Sequence, residues 1–170
     1  MSIASKAQAL IVDVDRPGNM IRTLWDRLAA IPGGKRIFAR LVGQAAPYTG
    51  TIDARVIELS EGHARVALRD RRAVRNHLRC VHAVALVNLA ELTRNLAMAY
   101  SLPDDARFIV AGLSIDYLKK ARGTITGETR CPVPTSSEER TYEVPVTLRD
   151  ERGVEVARAT LQTLVGPKKR

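Results

Sequence analysis

The segment Arg75-Asn76-His77-Leu78-Arg79-Cys80-Val81-His82-Ala83-Val84-Ala85-Leu86-Val87-Asn88-Leu89-Ala90-Glu91 concentrates the residues able to do chemistry. Glu91 is the sharpest of them, because it interrupts a stretch, residues 81–100, that is apolar on nearly every side through Val84, Leu86, Val87, Leu89, Leu92 and Leu96. A lone carboxylate buried there is costly and tends towards a raised pKa, which suits a general base or a nucleophile. The plainer alternative is a carboxylate that meets a polar gap or pairs with Arg94 or a strand cation. Asn95, one turn on, can hydrogen-bond to Glu91 or to a ligand, or serve as a satisfied interface amide; Asn88 shares the same helix. His82 reads first as a structural histidine at a helix start, and Asn76 as a turn or cap residue unless its spacing from Glu91 matters. Two basic groups flank the stretch: Arg69, Arg71, Arg72, Arg75 and Arg79 before it, and Lys119, Lys120 and Arg122 after it. Each is either solvated loop surface or a place for phosphates.

These residues need elements to position them. Met20, Ile21, Leu24, Trp25 and Leu28 recur at helical spacing until Pro32-Gly33-Gly34, and a second short helix is expected over residues 35–44. Residues 1–46 are therefore expected to be a helical extension, joined at Ala45-Ala46-Pro47 to the main domain at 47–167, with Lys168-Lys169-Arg170 a frayed basic tail. From Tyr48 the period changes to two through Ile52, Ala54 and Val56, then slips to Ile57 and Leu59 as a bulge would make it. Ser60-Glu61-Gly62 turns the chain into a second strand carrying Ala64, Val66 and Leu68. The all-round apolarity of 81–100 marks a buried helix. Beyond Pro103 come further strands: Ile109, Ala111, Leu113, Ile115 and Tyr117 alternate with polar neighbours, then residues 123–131, 141–149 and 154–165 follow, with a hairpin at Asp150-Glu151-Arg152-Gly153. Pro145 points to an edge or a bulge. The class is α+β: a curled antiparallel sheet around one long buried helix, or a sandwich with the helix lying on one sheet face, since periodicity carries no curvature.

At 170 residues the chain fits one domain with its own core. Cys80 and Cys131 lack paired metal or redox spacing, so no metal is expected and a reducing, cytoplasmic setting suits them. The apolar run at residues 9–12 is too short to enter or span a membrane. A net charge of +9 favours anionic partners, whether nucleic acid, an anionic surface or a ligand with several phosphates.

The Arg75–Glu91 segment resembles the active-site segment of hotdog thioesterases of the phenylacetate-pathway (PaaI-like) and 4-hydroxybenzoyl-CoA types. In those families an Asn or Gln shortly precedes a His-Gly-Gly helix start, and an Asp or Glu follows about two turns later. Asn76, His82, Ala83 and Glu91 match the amide, the histidine, the first glycine and the carboxylate. Pro47-Tyr48-Thr49-Gly50 and Tyr117-Leu118-Lys119-Lys120-Ala121-Arg122-Gly123 resemble segments of further bacterial hotdog proteins. The departure is that Ala83 and Val84 replace both glycines, whose lack of a side chain lets a carbonyl approach the backbone closely.

The resemblance implies an acyl-CoA thioesterase, with coenzyme A as part of the substrate and no separate cofactor. The Ala83 amide, at the positive helix end, would stabilise the oxyanion. Asn76 would orient the carbonyl or the water, and Glu91 would serve as nucleophile or general base. His82, Asn95 and Arg75 would contact substrate, with Lys119, Lys120 and Arg122 near the coenzyme A phosphates. Eight residues of helix separate Ala83 and Glu91 by about 12 Å, so the implied site is shared across a homodimer, alone or within a dimer of dimers. A non-catalytic acyl-CoA binding or sensing protein is the alternative that the missing glycines allow. A hotdog dehydratase lacks its His and acid arrangement here. Seven aromatic residues and no recognition-helix pattern argue against a nucleic-acid binder.

Overall fold

The apolar middle of the chain folds as a single 19-residue helix in the computed structural model, which describes Asp15 and residues 17–169. In chain order the elements are α1 (Met20–Leu28), α2 (Gly34–Ala45), α3 (Pro47–Gly50), β1 (Arg55–Ser60), β2 (His63–Leu68), a 3₁₀ turn (Arg72–Val74), α4 (Ala83–Ser101), β3 (Ala106–Tyr117), β4 (Ile125–Arg130), β5 (Arg140–Arg149) and β6 (Glu155–Pro167). The strands form one antiparallel sheet in the order β1-β2-β4-β5-β6-β3.

Helix α4 touches all six strands. Six strands about 4.8 Å apart span roughly 24 Å when flat, twice the 10–12 Å or so of a helix with its side chains. One helix reaches both edges only if the sheet curls around it. The sandwich alternative falls, and the architecture is the hotdog. Leu86, Leu89, Ala90, Leu96, Ala97 and Met98 are buried against the strand residues Val66, Leu68, Ile125, Val144, Val146, Leu148 and Leu161 in one core. Among the described residues no helix is long and apolar enough to cross a membrane.

A close helix–sheet approach depends on Gly127 of β4, where a Cβ would lie 2.5 Å from Thr93 Oγ1 and 3.1 Å from Leu148 Cδ2. Gly127→Ala is expected to force α4 and the sheet apart at a cost of about 1–3 kcal/mol. A lower urea midpoint with an unchanged far-ultraviolet spectrum is the result to look for; an unaltered midpoint would show that the approach has slack.

The helical extension packs on the same core through Trp25, Phe38 and Val42, with Trp25 and Phe38 edge-to-face at 5.1 Å. Asn19 joins it to α4. Its Oδ1 accepts from Arg22 N (2.9 Å) at the start of α1, and its Nδ2 donates to the carbonyls of Ala99 (2.7 Å) and Leu102 (3.1 Å) at the end of α4. One side chain thus satisfies orphan groups at two helix ends.

Several local expectations need correction. Residues from Tyr48 do not start a strand. Pro47 opens the short helix α3, where its fixed φ fits, Asn88 Nδ2 donates to the Tyr48 carbonyl at 3.1 Å, and the strand begins only at Arg55. The foreseen bulge lies between Val56 and Glu58. The apolar row of β3 is split by a second bulge, between Val110 and Gly112. Opposed residues of an antiparallel pair share a face, and the buried Val165, Thr163, Leu161, Ala159 and Ala157 oppose Phe108, Val110, Leu113, Ile115 and Tyr117. Those five therefore face the helix side, whereas Ile109 turns outward, 63% exposed. Pro145 lies in an interior strand, but β4 pairs with β5 only from Val146 to Arg149, so β5 is locally an edge where the proline sits. Lys168 is docked rather than frayed, its Nζ donating to the carbonyls of Gly18 and Asp104 at 2.8 Å each. Arg170 and the apolar run at 9–12 lie outside the described residues.

Candidate functional site

The N-terminus of α4 is held by a loop braced by hydrogen bonds within itself and to the loop after β3. Asp70 accepts from Arg75 Nε at 2.5 Å and from Gly123 N at 3.2 Å, tying the loop before α4 to the loop after β3. Val81 N donates to Ala121 O and His82 N to Val74 O, both at 2.8 Å. The oxygen of Asn76 accepts from Leu78 N (2.9 Å), Cys80 N (3.3 Å) and Cys80 Sγ (3.3 Å). That is the turn role of an asparagine, and it fixes the amide orientation, leaving Nδ2 as the uncommitted donor.

His82 is the helix cap: its Nδ1 accepts from Val84 N at 3.1 Å, and its side chain is exposed. The Ala83 amide, the first of the helix, makes no hydrogen bond among the described residues. It faces outward at the positive end of α4. Tyr117 Oη donates to the Ala83 carbonyl at 3.3 Å, fixing the end of β3 against the helix start. Around these groups lies an open cavity of about 330 Å³, lined by Asn76, Ala83, Leu86, Tyr117, Lys119 and Lys120 among others. Val84 is 48% exposed and does not line it. The branched side chain at the second glycine position thus points away from this space.

The structure brings Asn76, Ala83, Lys119 and Lys120 to one cavity and leaves the other candidates elsewhere. Arg75 is exposed and engaged by Asp70, whose hydrogen bond and charge raise its pKa further. Arg122 is exposed and off the cavity wall. Glu91 and Asn95 lie further along α4 and do not line this cavity.

Glu91 is only half-buried, against the expectation of a carboxylate sunk in apolar surroundings. Ala83, Val87, Glu91, Asn95 and Ala99 recur every four residues as a half-exposed stripe, the one side of α4 that the sheet leaves open. Asn95 Nδ2 donates to Glu91 Oε1 at 3.5 Å, and Asn95 Oδ1 accepts from Arg94 Nη1 at 2.6 Å. Arg94 thus reaches Glu91 through Asn95 rather than by a direct pair, and its donation decides which end of the amide faces the carboxylate.

Two residues of this region carry more than the sequence suggested: Tyr117, assigned to a strand face, and Arg94. The signal for Arg94 was its helical spacing from Ala90, Ala97 and Ser101, which puts position 94 on the sheet side. It is fully buried, lies 5.1 Å over the Phe108 ring, and leaves Nε and Nη2 without partners among the described residues. Burial pulls its guanidinium down to about 10, against the attraction of Cys131 and Glu91. The fold therefore disfavours the charged form, a penalty present in full below pH 10 or so and relieved only as pH rises above it. Arg94→Met, of similar volume, is expected to leave the melting temperature unchanged or raised, while loosening Asn95 beside Glu91. A large fall in melting temperature would mean that the buried cation is satisfied after all.

Residues 34–165 match the family described as a domain of unknown function, DUF4442. The chain belongs to the DUF4442 family. The match begins at α2, so the second helix of the extension lies within the DUF4442 region. The structural-genomics protein APC5556 is similar over 98% of this chain and 99% of its own, at 27% identity and a TM-score of 0.71. PA5026 from Pseudomonas aeruginosa, described as a probable thioesterase, is 20% identical with a TM-score of 0.70, over 81% of this chain and 97% of that one. The protein smu.793 from Streptococcus mutans UA159, solved bound to acetyl CoA, is 23% identical with a TM-score of 0.57, over 68% and 90%. The last two likenesses establish the hotdog fold of this DUF4442 chain. Among curated proteins none matches its sequence.

Proposed function

We propose that this DUF4442 protein hydrolyses acyl-CoA thioesters at a site shared between two subunits. The observation that carries the reading is the cavity at the start of α4, which is lined by Ala83, whose amide has no partner among the described residues, and by Asn76, whose Nδ2 is uncommitted, beside Lys119 and Lys120. Two donors at a helix N-terminus suit the oxygen of a thioester carbonyl as negative charge develops on it. Water, activated by a carboxylate, adds to the carbonyl carbon; the C–S bond then breaks and coenzyme A leaves as its thiol. If the carboxylate attacks directly, an acyl-enzyme anhydride forms first and water cleaves it.

Glu91 of the same chain is about 12 Å along the helix, so the carboxylate comes from a second copy. The edge of β3 supports that arrangement. Its twelve residues have β6 on one side only, and a long unpaired edge is a ready template for another strand. Leu113 and Tyr117, at 36% and 49% exposure on the helix side of that edge, are apolar surface for a partner to cover. The likeness to a probable thioesterase and to an acetyl CoA complex favours the same substrate class.

The decisive experiment is a panel of acyl-CoA and acyl-pantetheine thioesters with free-thiol detection. Lys119→Glu combined with Lys120→Glu is expected to weaken coenzyme A thioesters by about tenfold or more, leaving pantetheine thioesters, which lack the nucleotide phosphates, nearly unchanged. Equal losses on both would remove the lysines from phosphate binding. Tight acyl-CoA binding with no thiol release would select the non-catalytic reading instead.

A further inference from the structure

A second cavity, of about 270 Å³, lies beneath the N-terminal helices on the same side of α4 as Glu91. Its floor is the α4 row Leu92, Asn95, Leu96 and Ala99, continued by Leu102 beyond the helix end; its roof is Met20 and Ile21 of α1, with Phe108 of β3 at one side. From Leu92 to Leu102 is ten residues, or about 15 Å along the helix, so the space is elongated.

Apart from the small hydroxyl of Thr49, the polar side chains on its wall are turned to other tasks. Asn95 spends its oxygen on Arg94 and its amide on Glu91. Asn19 is committed to two helix ends. Lys168 donates to the carbonyls of Gly18 and Asp104, and Arg107 to that of Pro167. What the cavity offers an occupant is mostly apolar contact over nearly three helical turns, beginning at Leu92, the residue next to Glu91.

We infer that this cavity takes the tail of the acyl group, and that the substrate carries a medium-length unbranched aliphatic chain. The inference rests on the thioesterase reading, since it places the reacting carbonyl at Glu91 with its tail running past Leu92 and Asn95 of the same subunit. An acetyl group would leave the cavity empty, and an aryl group would fill only its near end. Each methylene buried strengthens binding about fourfold, so a chain that reaches Leu102 gains what a short one forfeits. The N-terminal helices thereby set chain length.

The test is kcat/KM for acetyl-, hexanoyl-, decanoyl-, palmitoyl- and benzoyl-CoA on the full chain, together with calorimetric binding of acetyl- and decanoyl-CoA. Decanoyl-CoA is expected to exceed acetyl-CoA by at least about a hundredfold. Ala99→Phe, filling the cavity from a half-exposed position, should cut decanoyl-CoA by about tenfold or more and spare acetyl-CoA. Ile21→Ala, opening the roof, should move the optimum to longer chains, and it stands in should Ala99→Phe fail to fold. Hydrolysis with a flat chain-length profile, a benzoyl preference, or a profile that neither variant moves would overturn the inference and leave the hydrolase reading intact. If no thioester is cleaved, the hydrolase reading fails and the calorimetry decides: decanoyl-CoA bound more tightly than acetyl-CoA, with the difference lost in Ala99→Phe, upholds the cavity, and equal binding overturns it.

Discussion

Glu91→Gln is expected to lower acyl-CoA turnover by about 10²–10⁴-fold if Glu91 is the general base, and by at least as much if it is the nucleophile. The substitution keeps the size of the side chain, and the remaining amide oxygen still accepts from Asn95 Nδ2 as Glu91 Oε1 does now. Because Glu91 is half-buried on the open stripe of α4, no core contact is lost and stability should change little. Acyl-CoA affinity should survive, because the Asn76–Ala83 cavity and its lysines are untouched. Thiol release measures the first quantity and calorimetric titration the second. Full turnover in Glu91→Gln would remove the catalytic assignment; loss of binding together with turnover would mean that the carboxylate holds the loop or the dimer rather than the reacting water.

Much of the architecture was legible because it rests on pattern. An all-round apolar helix demands something to wrap it, and the strand spacing supplied that wrapping as an antiparallel run. What the pattern missed has local causes. Helical Pro47–Gly50 is fixed by Asn88, forty residues away, which reaches the Tyr48 carbonyl; period-two counting does not register such a bond. The bulge at Val110/Gly112 changes which face the later β3 side chains take, and alternation reads the same on either side of it. At the site, residue types were readable and directions were not. Asn76 looked like either a turn residue or a substrate amide, and the structure makes it a turn residue through its oxygen, leaving its nitrogen uncommitted among the described residues. Glu91 looked buried because its sequence neighbours are apolar, but the sheet covers α4 on every side except the one it occupies. Arg94 shows the converse: a residue type normally on surfaces is held in the core, and only its helical spacing from Ala90, Ala97 and Ser101 points there.

The shared site itself is tested by complementation, for which Asn76→Asp is the better partner lesion than Asn76→Ala. An aspartate still accepts from Leu78 N and Cys80 N and so keeps the loop, whereas alanine would strand both donors. Asp offers no N–H to a carbonyl, and its charge opposes the developing oxyanion, so Asn76→Asp alone should fall by about 10²-fold or more. Glu91→Gln alone should be as inactive. When equal amounts of the two variants are unfolded together and refolded, random pairing gives about half heterodimers. Each heterodimer holds one site with both lesions and one with neither, because the intact Asn76 and Ala83 of the Glu91→Gln subunit face the intact Glu91 of its partner. Half the dimers with half their sites restored is roughly a quarter of wild-type activity. A site confined to one subunit predicts no recovery at any mixing ratio. No rise in activity, with exchange verified by mass tagging of the subunits, therefore excludes the shared site even if Glu91→Gln behaves as expected.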